Sequence, residues 1–131
     1  MLIQLYETPE EKCAIPKYKL NDNSLITLLE YSCWMHIEID NKVFYDDGIC
    51  PLEMRYAYKC WLDELYSGNM QDFIYITEDD GHNPFLQFCY HKEGWTIHSC
   101  FEQYYETRLF STQELLSFFE MFENELNKFI V

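Results

Sequence analysis

Two cysteines and two histidines stand close together in the chain, Cys89, His91, His98 and Cys100, and all four are side chains of the kinds that hold zinc. Their arrangement depends on the hairpin that carries them. With Glu93-Gly94 as the whole loop, position 92 pairs with 95 and position 89 with 98. One face then carries Gln87, Cys89, His91, Thr96, His98 and Cys100, and the other Leu86, Phe88, Tyr90, Trp95, Ile97 and Phe101. The clean sorting supports this register and sends the aromatic face to the core. A flat sheet, however, holds same-face neighbours roughly 4.5 to 7 Å apart, which is awkward for a tetrahedral ion. The spacings Cys-x-His and His-x-Cys also differ from those that zinc sites favour. A three-residue loop would pair 91 with 95 and split the four side chains between faces. The patch therefore reads as a half-buried or partner-facing polar surface, with no metal site and no cofactor assigned.

Nucleophilic chemistry has no better footing. Cys33 and His36 lie three apart on an alternating segment, so their side chains leave opposite faces of a strand. The chain contains no glycine-rich phosphate loop, no dinucleotide fingerprint, no H-E-x-x-H helix and no G-x-S-x-G elbow. Nothing gathers a nucleophile, a base and an orienting group, and the expectation is a protein that is not an enzyme. The acidic clusters Asp46-Asp47 and Glu78-Asp79-Asp80 lack the calcium-loop spacing and its distal glutamate. Both fall in expected turns open to water, where no cleft would set two carboxylate pKa values apart for acid–base work. They read instead as contact surfaces for the lysines and arginines of a partner. Asp46, Asp47, Glu78, Asp79 and Asp80 are thus the candidate partner-binding residues, and Glu120, Glu123 and Glu125 near the C-terminus add to the same field.

Charge gives that reading its weight. The 131 residues carry 9 basic and 23 acidic groups, a net charge of −14, beyond the roughly 2 to 8 that solubility asks of a small domain. Direct binding to nucleic acid is disfavoured, because it needs a basic stripe. Only Arg55 and Arg108 offer forks for phosphate or carboxylate. Residues 1–59 hold 6 basic and 10 acidic groups, a net of −4, whereas residues 60–131 hold 3 and 13, a net of −10. The second half is the stronger candidate for electrostatic docking on a basic protein.

The rest of the composition describes an ordinary folded domain. At 16.0 kDa the chain fits one domain spanning residues 1–131. Its 48% hydrophobic and 18% aromatic content excludes wholesale disorder. The N-terminal residues show no basic region followed by an apolar one, and no apolar run is long enough to span a bilayer. The six cysteines are therefore expected to be reduced, mostly as small core residues, in a cytoplasmic protein with no membrane partner.

The elements that would position these side chains follow from periodicity and caps. Residues 2–6 alternate as a strand, 8–16 form a loop, 17–20 a short strand, and Asn21-Asp-Asn-Ser24 caps a short helix. Residues 33–39 alternate, with Cys33, Met35, Ile37 and Ile39 on one side and Trp34, His36 and Glu38 on the other. Asp40-Asn41 is a two-residue turn, the chain returns through Val43-Phe44-Tyr45, and Asp46-Asp47-Gly48 closes the hairpin. Pro51 opens a helix that runs to about Ser67 with Met54, Ala57, Trp61 and Leu65 on its stripe, and Gly68 stops it. A meander follows, with strands at 72–77, 84–91 and 95–102. Ser111 and Glu114 form a capping box for a last helix whose stripe is Leu115, Phe119, Phe122, Leu126 and Phe129. The expected class is α+β: a mostly antiparallel sheet of about five or six strands, with two or three helices packed on its apolar face.

Four segments carry a resemblance: Trp34-Met-His-Ile-Glu-Ile-Asp40, Asp72-Phe-Ile-Tyr-Ile-Thr-Glu-Asp79, Gly94-Trp-Thr-Ile-His-Ser99 and Phe110-Ser-Thr-Gln-Glu-Leu115. Together they resemble the small immunity proteins that accompany toxins of contact-dependent growth inhibition and other polymorphic toxin systems of bacteria. The resemblance spans about residues 30–130 and lies in strand and cap patterning, so no site residue is transferred through it. It implies a non-enzymatic inhibitor that binds one cognate basic toxin, often a nuclease. The alternative is an acidic adaptor, or a nucleic-acid mimic that binds some other basic protein.

Overall fold

Asp40 and Asn41 both take positive φ, 52° and 66°, forming the two-residue turn whose twist matches antiparallel strands. It joins β2 (Cys33–Ile39) to β3 (Lys42–Ile49), and β1 (Leu2–Tyr6) pairs antiparallel along the other side of β2. The computed structural model describes residues 1–6, 32–76 and 83–129. The loop expected at 8–16, the strand at 17–20 and the helix after Asn21 lie outside the described residues.

β2 alternates as its sequence dictates, with Cys33, Met35, Ile37 and Ile39 buried. β3 departs from expectation. It runs through Asp46, Asp47 and Gly48, which are strand rather than turn. The pairing shifts between Ile37 and Glu38: Glu38 lies opposite Val43 but Ile37 opposite Tyr45, so Phe44 is the extra residue of a bulge. The bulge lets the adjacent Phe44 and Tyr45 both be buried. Gln103 N–H donates to the Phe44 carbonyl at 2.8 Å, so a later segment covers this edge of the sheet.

Helix α1 (Pro51–Tyr66) starts with proline at its first turn and ends as the sequence predicts. Gly68 sits at φ +90°, Gly68 N–H bonds the Leu65 carbonyl and Asn69 N–H bonds the Glu64 carbonyl. This is the glycine stop that satisfies the last carbonyls of a helix. Tyr58 joins Met54 and Trp61 on the buried side, a residue the predicted stripe omits.

The second sheet is β4 (Phe73–Tyr75), β5 (Leu86–His91) and β6 (Gly94–His98), again antiparallel. The described residues therefore form two three-stranded sheets, not one sheet of five or six strands. The β5–β6 loop is Lys92-Glu93, and His91 pairs with Gly94 and Cys89 with Thr96. The register differs by two positions from the expected one, so parity and face sorting survive. Leu86, Phe88, Trp95 and Ile97 are buried. β6 ends early, at His98, because Ser99 and Glu102 turn the chain: Ser99 N–H bonds the Glu102 carboxylate and Phe101 N–H bonds Ser99 Oγ. Phe101, expected in the core, is 40% exposed.

Helix α2 (Thr112–Leu126) carries the predicted capping box, with Glu114 N–H donating to Ser111 Oγ and Ser111 N–H to Glu114 Oε1, both at 3.1 Å. A 3-10 turn, Asn127–Phe129, follows it. Phe118 and Phe119 pack on Phe88 and Phe73, while Trp61 of α1 meets Phe73, Trp95 and Phe119. Both helices thus cover the inner face of the second sheet. α2 also reaches the first sheet, where Leu5 N–H donates to Glu125 Oε1 and Ile3 N–H points at Met121 Sδ. Two helix side chains one turn apart thereby cap the outer edge of β1, which would otherwise invite another strand. Phe110 does the same for β6 through paired bonds with Trp95 at 2.8 and 2.7 Å.

Candidate partner-binding face

Successive strand residues point to opposite faces, and this rule separates the two aspartates that the sequence groups together. Asp46 lies opposite His36 on the outer face of the first sheet, whereas Asp47 lies opposite the buried Met35. Asp47 Oδ1 turns back to accept from Gly48 N–H at 2.7 Å. Only Asp46 of the pair is presented on the outer face. Glu78, Asp79 and Asp80 lie outside the described residues.

Around Asp46 the outer face assembles a cluster that no linear motif announces. The rows across it are Gln4–His36–Asp46 and Tyr6–Trp34–Gly48, with Leu2 beside Glu38 and Val43. Trp34 Nε1 donates to Asp46 Oδ1 at 2.8 Å. His36 Nδ1 lies 3.2 Å from the same oxygen, and His36 Nε2 lies 2.9 Å from Glu38 Oε2. Both ring nitrogens face carboxylates, and both contacts are hydrogen bonds only when the ring is protonated. Partial burial pulls the His36 pKa down, but the bonds and charges of Glu38 and Asp46 outweigh it and leave the pKa above the ordinary value. Aromatic rings flank the cluster: Tyr6 is 43% accessible and donates to Gln4 Oε1, and Trp34 is half-buried. Two carboxylates beside an indole on one sheet face form a surface that suits a cationic side chain.

The outer face of the second sheet has a different character. Gln87, Cys89, His91, Thr96 and His98 share it, as the sequence predicts. His91 Nε2 and His98 Nε2 both approach Thr96 Oγ1, at 3.0 and 3.1 Å, and Tyr105 stacks on His98. Cys100 lies beyond the end of β6. No group of three or more side chains able to hold a metal forms among the described residues. Burial and the nearby Asp72 raise the Cys89 thiol pKa, which keeps it protonated.

Several charges that the sequence offers for docking are used within the fold. Arg108 spans Asp40 and Glu114, each at 2.9 Å, and Arg55 and Lys59 approach Glu123. Glu123 also accepts from the Tyr58 hydroxyl at 2.6 Å, and Glu125 is buried against β1. Of the three C-terminal glutamates expected in the outward field, Glu120 alone is exposed. No helix among the described residues is long and apolar enough to cross a membrane.

The geometry is that of a small α+β protein with a strongly acidic surface and one aromatic, acid-bearing sheet face. The chain belongs to the family described as a domain of unknown function, DUF7878, whose model matches residues 7–131. No curated protein and no solved structure matches it.

Proposed function

We propose that this protein is an immunity protein: it works in the cytoplasm, without catalysis, by binding and neutralising a cognate basic toxin, and a nuclease fits best. The observation that carries the reading is the surplus of 14 negative charges on a chain of 131 residues. A nuclease cleft is built to hold a polyanion. An acidic domain can occupy it by complementary charge and be steered to it quickly, which matters when the toxin acts on entry. The outer face of the first sheet supports the reading, since it sets Glu38 and Asp46 among Trp34 and Tyr6, residue types that anchor interfaces. The test is to look for a large toxin gene immediately upstream and to co-express its toxin domain with and without the protein. Rescue of growth and a stable complex are expected. Unrescued growth together with no complex by size exclusion overturns the proposal.

A further inference from the structure

Among the described residues, the acidic and histidine groups on the outer face of the first sheet are His36, Glu38 and Asp46, and they are arranged as an internal ion-pair cluster. His36 Nε2 sits 2.9 Å from Glu38 and Nδ1 3.2 Å from Asp46. Among the described residues no second cation pairs with Glu38 or Asp46: Gln4 of β1 is the cross-strand neighbour of His36 on one side, and Trp34 is the other donor to Asp46. We propose that this face is the docking site for an arginine- or lysine-bearing segment of the basic partner, and that docking displaces the His36 proton.

The inference rests on the proposed function and adds the place and the proton. The protonated ring occupies the position between two carboxylates that a guanidinium fork would take, and it offsets one of their two charges while the site is empty. The site stands on charge complementarity, because the occupant brings the cation that His36 supplies internally. A partner cation at Glu38 and Asp46 makes the ring proton redundant and repels it, so the His36 pKa falls on binding. Linkage requires the converse: a group that loses a proton on binding makes the complex tighter as pH rises through its pKa. The bulge at Phe44 contributes directly, since it turns Asp46 to this face opposite His36.

The experiment follows histidine ring protons by NMR titration of the full chain, alone and with an oligo-arginine peptide. His91 and His98, on the other sheet, are the internal controls. The expected result is a fall of about one unit in the His36 pKa, equal to a tenfold rise in peptide affinity between the protonated and neutral forms, with His91 and His98 much less affected. His36→Gln abolishes the pH dependence and leaves the peptide bound. Binding that leaves the His36 pKa unmoved, or that shifts the three histidines alike, overturns this inference and moves the docking face while the basic-partner reading stands. Absence of peptide binding at low salt overturns both.

Discussion

Glu125 tests whether the outer edge of β1 is capped by α2. Its carboxylate is 12% exposed, and Oε1 accepts the Leu5 N–H at 3.1 Å from a residue that is itself 5% exposed. Oε2 pairs with Lys128, whose side chain is 66% exposed. Replacing Glu125 by alanine leaves the buried Leu5 N–H without its acceptor, a loss of about 1–3 kcal/mol. Replacing it by glutamine keeps an acceptor oxygen and removes only the half-solvated ion pair, at roughly 0–1 kcal/mol. The two variants should therefore differ by about 1–2 kcal/mol. At this chain length that separates their melting temperatures by roughly 3–10 °C. Thermal unfolding followed by circular dichroism measures the gap, and amide hydrogen exchange at Leu5 locates it. Glu125→Ala should speed exchange at Leu5, and Glu125→Gln should not. If both variants melt together and the Leu5 amide stays equally protected, the capping argument is wrong.

Gly94 lies at φ +153°, and an added Cβ would stand 2.8 Å from the Phe110 carbonyl oxygen. Gly94→Ala should therefore cost about 1–3 kcal/mol in urea unfolding and weaken protection of the Trp95 and Phe110 amides. Ser111→Ala removes the acceptor at the N-cap of α2 and should cost about 1 kcal/mol, read from the same urea curves. Because the folded-state pKa of His36 is raised, its contribution to stability is complete below the unfolded value near 6.5 and fades as pH rises through the folded value. The stability gap between wild type and His36→Gln should accordingly shrink as pH rises above the unfolded value and through the folded one, and a gap that widens would contradict the ion pair. Burial pushes the Cys33 thiol up to about 12, so iodoacetamide should label the exposed Cys60 of native protein well before Cys33, as mass spectrometry can show.

The local rules were legible wherever one short segment decides its own conformation. The capping box at Ser111 and Glu114, the glycine stop at Gly68 and the positive-φ turn at Asp40-Asn41 depend on a few adjacent residues, and all three stand as the sequence predicts. The β5–β6 face sorting survived a loop placed one residue late, because that error moves the pairing register by two and leaves parity unchanged. Periodicity also put Trp34, His36 and Glu38 together on one side of β2.

What pairing alone cannot supply is the partner across the ladder. Counting back from the Asp40-Asn41 turn without a bulge places Tyr45 opposite His36 and turns Asp46 inward. The extra residue at Phe44 reverses this, since a shift of one position in a structure of period two exchanges the faces. Its cause is tertiary: both Phe44 and Tyr45 are buried, and strict alternation would expose one of them. The inward turn of Glu125 has the same origin, because the edge of β1 needs an acceptor that only a helix 120 residues later in the chain provides. Composition determined that the protein is acidic, and short-range spacing determined its caps and turns. Which carboxylates face water, which face each other and which serve the fold was decided by long-range packing, because that choice depends on burial of neighbours far away in sequence.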